Sequence, residues 1–201
     1  MAWDTEGTRR RLLEAAIDEF SDRGFAGARV DRIASAAGVN KERIYQYFGG
    51  KEELFAAVLA AELSAAMDAV PIEGDGVDAL TGYAGRLFDY QSAHPQLARL
   101  TFWEGLERRV PVAENMRRTR ARSKIDRVRE AVPELTDEDV QDLLLTILTL
   151  CDGCQALPNV DRLYTGESDA DPERVTRRRQ AIVGTVGAAA EALLAVRRGE
   201  V

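Results

Sequence analysis

The sequence predicts an all-α chain, and three observations carry that expectation. Apolar residues recur three and four apart along most of its length, as in Leu12, Leu13, Ala16, Ile17 and Phe20. The strict apolar–polar alternation of a half-buried strand, bounded by turn residues, is missing. Glycine and proline fall between the periodic segments, where helices end, at Gly24, Gly38, Gly49-Gly50, Pro71, Pro95, Pro111, Pro133 and Pro158. No internal repeat of roughly 20–50 residues is visible.

Taken in order, the first helix is expected over about Thr8–Arg23, with Gly24 as its stop. A short second spans about Val30–Ala37, with Ile33, Ala34 and Ala37 inward and Gly38 ending it. The third starts at Asn40, a good N-cap, and reaches Phe48. Gly49-Gly50 then breaks the chain before a fourth, Lys51 to about Ala69, which carries Leu54, Phe55, Val58 and Leu59. Pro71 and "EGDG" (73–76) form the clearest break in the chain. The fifth covers about Val77–Ala93 and stops at His94-Pro95, and the sixth follows to about Arg108. Pro111 opens a basic seventh helix lasting to Val132-Pro133. Thr136 with Asp139 three residues on resembles a capping box and starts the eighth, which carries "LLLTILTLC". A polar loop is expected after Pro158. Asp171-Pro172 then gives an N-cap and a proline at N1 for a last helix to about Val196. The expected plan is about nine helices: an N-terminal helix-turn-helix domain at 1–52 and a larger helical domain at 53–201.

The chain has 201 residues, 45% apolar and 30% charged, with a net charge of −7. That is ordinary for a soluble globular protein. No segment approaches the roughly 18 uninterrupted apolar residues of a membrane span, and the start lacks the layout of a signal peptide. A cytoplasmic protein with no membrane partner is expected. Two cysteines do not make a disulfide scaffold. The charge is unevenly placed. Residues 1–51 hold nine Lys/Arg and eight Asp/Glu, a balance of +1 that leaves −8 for the rest. Within 29–51, five bases (Arg29, Arg32, Lys41, Arg43, Lys51) face two acids, Asp31 and Glu42. A basic patch on an acidic body suits a protein that touches a polyanion locally.

Two short helices joined by a Gly-containing turn at 30–48 form the helix-turn-helix pattern. On a wheel set by Ile44, Phe48 shares the inner side while Glu42, Arg43, Tyr45 and Gln46 fall on the other. These types suit a groove: Arg holds guanine bidentately, Gln holds adenine, and Glu accepts from cytosine. Tyr hydroxyls, Lys51 and the N–H groups opening the fourth helix suit phosphates. A solvated surface helix would offer the same side chains.

The whole order of 8–59, "TRRRLLEAAIDEFSDRGFAGARVDRIASAAGVNKERIYQYFGGKEELFAAVL", closely resembles the DNA-binding domain of the tetracycline-repressor (TetR) family. The matching positions are the apolar set of the first helix, Gly24-Phe25, Val30 with Ile33-Ala34, Ala37-Gly38-Val39, Ile44-Tyr45 with Phe48, and Lys51 followed by Glu-x-Leu. The resemblance implies that Lys41, Glu42, Arg43, Tyr45, Gln46 and Tyr47 lie in or beside the major groove of double-stranded operator DNA, with Lys51 on a phosphate. Two positions depart from the pattern. Ala28-Arg29 stands where the family has a capping hydroxyl residue; Arg29 can supply a phosphate contact but no capping oxygen. Tyr47 stands where His is common.

The resemblance also implies an effector cavity in the helical body, and a homodimer joined by its last two helices. Leu87, Tyr90, Trp103 and Met116, with Ile147 and Cys151, are the candidates for the cavity wall; the same aromatic group (Tyr83, Phe88 and Phe102 included) would also serve as plain core. A largely apolar wall implies a hydrophobic or aromatic small molecule. For the dimer, the last helix presents a small-residue row, Ala181, Gly184, Thr185, Ala188 and Ala192, and the eighth is too apolar for exposure.

Other constellations point elsewhere or nowhere. Cys151-Asp-Gly-Cys154 lies late in an apolar helix, where small buried residues pack and redox or metal sensing is the rival reading. His94, the only histidine, sits where a helix ends. Residues 117–129 hold seven bases and one acid, with Arg117, Arg120, Lys124 and Arg127 forming a stripe; a solvated face, or one paired with the acids of 134–142, competes with a second nucleic-acid site. No paired carboxylates, nucleophile–base set or metal cluster marks an enzyme, and no cofactor or metal is implied. The expected function is a homodimeric, ligand-responsive transcriptional repressor; the rivals are a helical enzyme and an interaction module with a vestigial helix-turn-helix.

Overall fold

A computed structural model of the chain describes residues 5–166 and 171–200. Among these it forms ten helices and no strand: α1 Thr5–Gly27, α2 Val30–Ala36, α3 Glu42–Phe48, α4 Lys51–Ala69, α5 Gly76–Ala93, α6 Pro95–Glu107, α7 Glu114–Ala131, α8 Asp137–Ala156, α9 Pro158–Thr165 and α10 Pro172–Arg198. The count exceeds the expected nine because α9 replaces most of the polar loop placed after Pro158. Pro158 sits at its N1, and Gly166 closes it in the left-handed region. The rest of that loop, 167–170, lies outside the described residues. The contacts divide the chain into two compact units, Met1–Ala65 with Gln96–Glu114, and Ala66–Pro95 with Asn115–Val201.

The first unit is built on aromatic packing. Leu12, Ala16 and Phe20 of α1, Ile33 and Ala34 of α2, Ile44 of α3, and Leu54, Phe55, Val58 and Leu59 of α4 are all buried. Phe20 and Phe25 both meet Phe55 edge-on, with ring centroids 5.1 and 5.5 Å away. α1 does not stop at Gly24 as the sequence suggested. It kinks there, at φ 69° and ψ 177°, and continues for one more short turn to Gly27. Two constraints require glycine: the positive φ, and the Trp103 ring of α6, which lies 2.8 Å from where a Cβ would stand. The Trp103 indole N–H donates to the Ser21 carbonyl at 3.1 Å, and Glu107 accepts from the Phe25 and Ala26 N–H groups at 2.6 and 3.1 Å. The two amides that the kink strips of helical partners are thereby satisfied by one carboxylate.

The second unit packs α5 against α8 and α10. Its core holds Leu80, Leu87 and Phe88 of α5, Val128 of α7, Val140, Leu143 and Ile147 of α8, and Ile182, Val186, Ala190 and Leu194 of α10. The caps read from the sequence are present. Thr136 Oγ1 accepts from the Asp139 N–H, and Asp139 accepts from the Thr136 N–H. Asp171 accepts from the Glu173 and Arg174 N–H groups. α7 begins at Glu114 rather than Pro111, after Ala113 takes a positive φ of 51°. The basic stripe of α7 is largely paired within the unit. Arg120 meets Asp68 at 2.9 Å, Arg122 meets Asp126 and Asp137, and Lys124 donates to the Tyr83 hydroxyl at 2.6 Å.

Several ionisable groups in this unit are shifted by their surroundings, Asp139, Lys124 and Asp152 among them. The Asp139 carboxylate is held down at about 2 by hydrogen bonds from Arg197, whose Nε and Nη2 each donate at 2.8 Å, against the opposing effect of burial. Burial pushes Lys124 down to about 8, with the charge of Arg120 adding to it. Burial pushes the Asp152 carboxyl up to about 7, and its Oδ1 has no hydrogen-bond partner among the described residues.

Two expectations follow. Gly24→Ala should lower unfolding stability by about 1–3 kcal/mol in urea titration, because the side chain meets both backbone strain and the Trp103 ring; an unchanged midpoint would show that the kink carries no strain. Asp152 keeps its proton in the folded chain up to about pH 7, while the unfolded chain releases it near 3.8. The folded state therefore binds the extra proton in that window, and Asp152 makes stability fall as pH rises through it. Asp152→Asn should be more stable than the parent above pH 7, with the fall between those two values flattened; parallel stability–pH curves would contradict this.

Candidate nucleic-acid interface

α2 and α3 are seven residues each, too short to hold together alone. Their inner faces fix them. Ile33 and Ala34 anchor α2, and Ile44 is wholly buried under α3. The turn between them runs through Gly38, which takes a positive φ of 66°. α3 begins at Glu42 rather than at Asn40, with Lys41 at its N-cap making no side-chain cap bond; the Asn40 Oδ1 still accepts from the Glu42 N–H at 3.1 Å. Gly49, left-handed at φ 95°, ends α3 and turns the chain into α4.

With Ile44 inward, the other side chains of α3 are placed for contact. Tyr45 is 53% exposed, Glu42 and Gln46 are exposed, and Arg43 and Tyr47 are half-buried. Arg43 Nη1 donates to Gln46 Oε1 at 2.6 Å, so the two side chains best suited to reading bases are held side by side one turn apart. Phe48 is half-buried rather than core, with the Arg9 guanidinium 5.3 Å above its ring. Lys41, just ahead of α3, is exposed and meets Asp31 at 3.3 Å. Lys51 opens α4, with its Nζ 3.4 Å from the Ala26 carbonyl and 4.8 Å over the Phe25 ring.

Arg29 is exposed at the head of α2 and, as the sequence implied, provides no side-chain cap. Its place is fixed through the backbone instead. Glu19 of α1 accepts from the Arg29 N–H at 2.9 Å and from Arg32 Nε at 2.7 Å. Burial works to raise the Glu19 carboxyl, but the Arg32 and Arg29 hydrogen bonds outweigh it and hold the group below its usual range. A groove of about 780 Å³ runs beside α3, lined by Thr8 and Arg11 of α1 together with Asn40, Glu42, Arg43 and Gln46. Sequence reasoning missed Glu19, Glu107 and Arg11. Only Arg11 left a trace, as the last base of "TRRR" ahead of the apolar row.

The six residues proposed for an effector wall are divided between the two units. Leu87, Ile147 and Cys151 are buried in the core of the second unit, with Tyr90 packed against them and Met116 half-buried on α7. Trp103 belongs to the first unit, where it closes on the Gly24 kink, and Phe102 of the same helix is 36% exposed. The Cys151 thiol is pushed up to about 12, first by burial and then by the charge of Asp152, and it donates to the Ala84 carbonyl at 3.6 Å. Both cysteines are free thiols. His94 caps α5 through its backbone N–H and stacks on Tyr90, with ring centroids 4.3 Å apart. Ala181, Gly184, Thr185, Ala188 and Ala192 all lie on an exposed face of α10, and Leu145 and Leu148 of α8 are 62% and 41% exposed.

Comparison with known proteins agrees with this geometry. Residues 12–58 match the family described as bacterial regulatory proteins, tetR family, and residues 79–187 match the tetracyclin repressor-like C-terminal domain. The chain is 39% identical over 175 residues to the HTH-type transcriptional repressor SCO4008 of Streptomyces coelicolor, covering 84% of this chain and 89% of that one. It is 34% identical over 109 residues to the HTH-type transcriptional repressor NicS of Pseudomonas putida, about half of each chain. Among solved structures, SCO4942 from Streptomyces coelicolor superposes with a TM-score of 0.73 at 36% identity, covering 89% of this chain and 96% of that one. A TetR family transcription regulator from Marinobacter aquaeolei shares the fold at 21% identity, with a TM-score of 0.67 over 94% and 98% of the two chains.

Proposed function

The chain belongs to the TetR family of helix-turn-helix regulators, and on that premise we propose that it is a homodimeric, ligand-responsive repressor acting on a palindromic operator. The outward face of α3 carries the reading: Arg43, Tyr45 and Gln46 are presented on a short helix pinned from behind by Ile44. Residues 1–52 hold DNA, with Glu42, Arg43, Tyr45 and Gln46 against bases. Arg29, Lys41, Tyr47 and Lys51 take the flanking and phosphate positions. Arg11 and Thr8, which share the groove, extend the contact along the backbone.

One seven-residue helix reaches few base pairs, so specificity calls for two-fold repetition, with half-sites about 34 Å or a multiple apart. Residues 53–201 supply the partner surface and the effector site. α10 is long and apolar enough to cross a membrane by length and composition, and only 22% of that window is buried. Its small-residue row, with Leu145 and Leu148 of α8, suits an isologous seam with a second copy, since small side chains let helices approach closely. A hydrophobic or aromatic effector held near Leu87, Tyr90, Met116, Ile147 and Cys151 shifts the population of α4 settings, and with it the separation of the two α3 helices. Trp103 serves on the DNA side, fastening α6 to α1.

Binding to a genomic operator fragment tests the reading. Arg43→Ala should cost about 1–3 kcal/mol and relax preference at one position of each half-site. Lys51→Ala should weaken all sequences alike and reduce the salt slope by about 0.9 for each phosphate lost. Unchanged affinity in both variants would remove the assignment of α3 and α4 to DNA.

A further inference from the structure

We propose that a cavity between α5, α8 and α10 is a binding site for a small organic acid of single negative charge. The cavity holds about 600 Å³, within the range of small-molecule sites. It shares no residue with the effector wall proposed above, and its test does not depend on regulation.

α10 makes the site. Its core-facing row repeats every four residues, through Ile182, Val186, Ala190 and Leu194. Traced toward the N-terminus, the same row continues as Arg178 and Arg174. Two guanidiniums thus stand where the helix otherwise buries apolar side chains, and both line the cavity.

The carboxylates of the lining are already engaged. Both oxygens of Asp89 accept from Arg179 Nε, at 2.8 and 3.0 Å. Asp161 of α9 pairs with Arg174. The donors are not all used. Arg174 Nε is buried with no partner among the described residues. Arg178 has only the Cys154 sulphur, which accepts from its Nε at 3.0 Å, and no carboxylate among those residues. Sulphur is a weak acceptor and gives up its place to a carboxylate. Among the described residues one guanidinium is left to be neutralised, which points to a ligand of single negative charge. A phosphate would bring a second charge close to Asp89 and Asp161.

The remaining lining sets the other end of the ligand. Phe88 and Ala93 of α5 and Val175 of α10 are apolar, and Ser92 and Gln155 are already hydrogen-bonded to each other at 3.4 Å. An acid with a short apolar or aromatic tail places its carboxylate on Arg178 and its tail against these groups. Cys154 then sits beside the bound head group.

Calorimetry on the full chain with 4-phenylbutyrate, and with 4-phenylbutanamide as its uncharged counterpart, tests the site. The acid should bind about tenfold or more tightly than the amide. Arg178→Gln should abolish that preference, and Arg178→Lys should keep part of it. A second readout needs only the parent protein: saturating 4-phenylbutyrate should slow iodoacetamide alkylation of Cys154 at least about fivefold, while 4-phenylbutanamide leaves it unchanged. The buried Cys151 thiol serves as the unreactive reference. Equal binding of acid and amide, a preference that survives Arg178→Gln, or alkylation of Cys154 at the same rate with the acid present would each overturn the proposal.

Discussion

Ile44 must stay under α3 for anything else at that surface to matter. A seven-residue helix is far below the length at which helices persist alone in water. Packing from one side has to supply what length does not, and Ile44 is the wholly buried residue through which it does so. That division leaves the outer side chains largely toward solvent. Tyr45 can stand exposed, and Arg43 and Gln46 can be spent on each other and on a partner. It also makes α3 only as well placed as the elements that hold its base. Those elements converge on a kink at which helical amides lose their partners. Glu107 supplies the acceptor there and Glu19 supplies it at the head of α2, so two carboxylates from elsewhere in the unit satisfy the backbone between α1 and α2.

The second unit handles charge differently. It is acidic overall, yet many of its carboxylates have a guanidinium at hand, from Asp68 with Arg120 to Glu134 with Arg198. Pairs this exposed contribute little to stability. Several of them pair the basic residues of α7 with carboxylates of the same unit. Asp139 is the exception that contributes more, because one carboxylate closes a capping box and grips Arg197 of the last helix. Asp152 is the opposite case. It has no guanidinium among the described residues, and burial keeps it protonated over most of the acid range.

What was legible in the sequence was local. The capping box of Thr136 and Asp139, and the Asp171-Pro172 start of α10, depend on residues within one turn, and both stand as read. Most of the inward set of α1 to α4 followed from spacing alone, with Leu13, Ile17 and Phe48 half-buried. The kink at Gly24 depends on a partner far along the chain. Gly24 looked like a helix stop, but Trp103 and Glu107, some eighty residues away, allow the helix to kink and resume. Trp103 in turn looked like part of a pocket wall because its type and spacing cannot say which unit α6 joins. α9 was missed for a different reason. "PNVDRLYT" has too few apolar residues to show a buried face, and it buries none completely. The outward assignments on α3 were legible because a helix under nine residues with one buried position leaves little choice for the others.

α9 also explains why two arginines can occupy the core-facing row of α10. A guanidinium drawn toward an apolar interior is costly unless a carboxylate accompanies it. Asp161 accompanies Arg174, and it can do so only because 158–165 is a helix that carries it to that depth. Arg178, one turn further in, has no such companion among the described residues and faces open volume instead of packed side chains. An apolar residue there would close the row against Phe88 and extend the core that begins at Ile182. The sequence places a cation and a cavity together at that point, the combination that the proposed acid would complete.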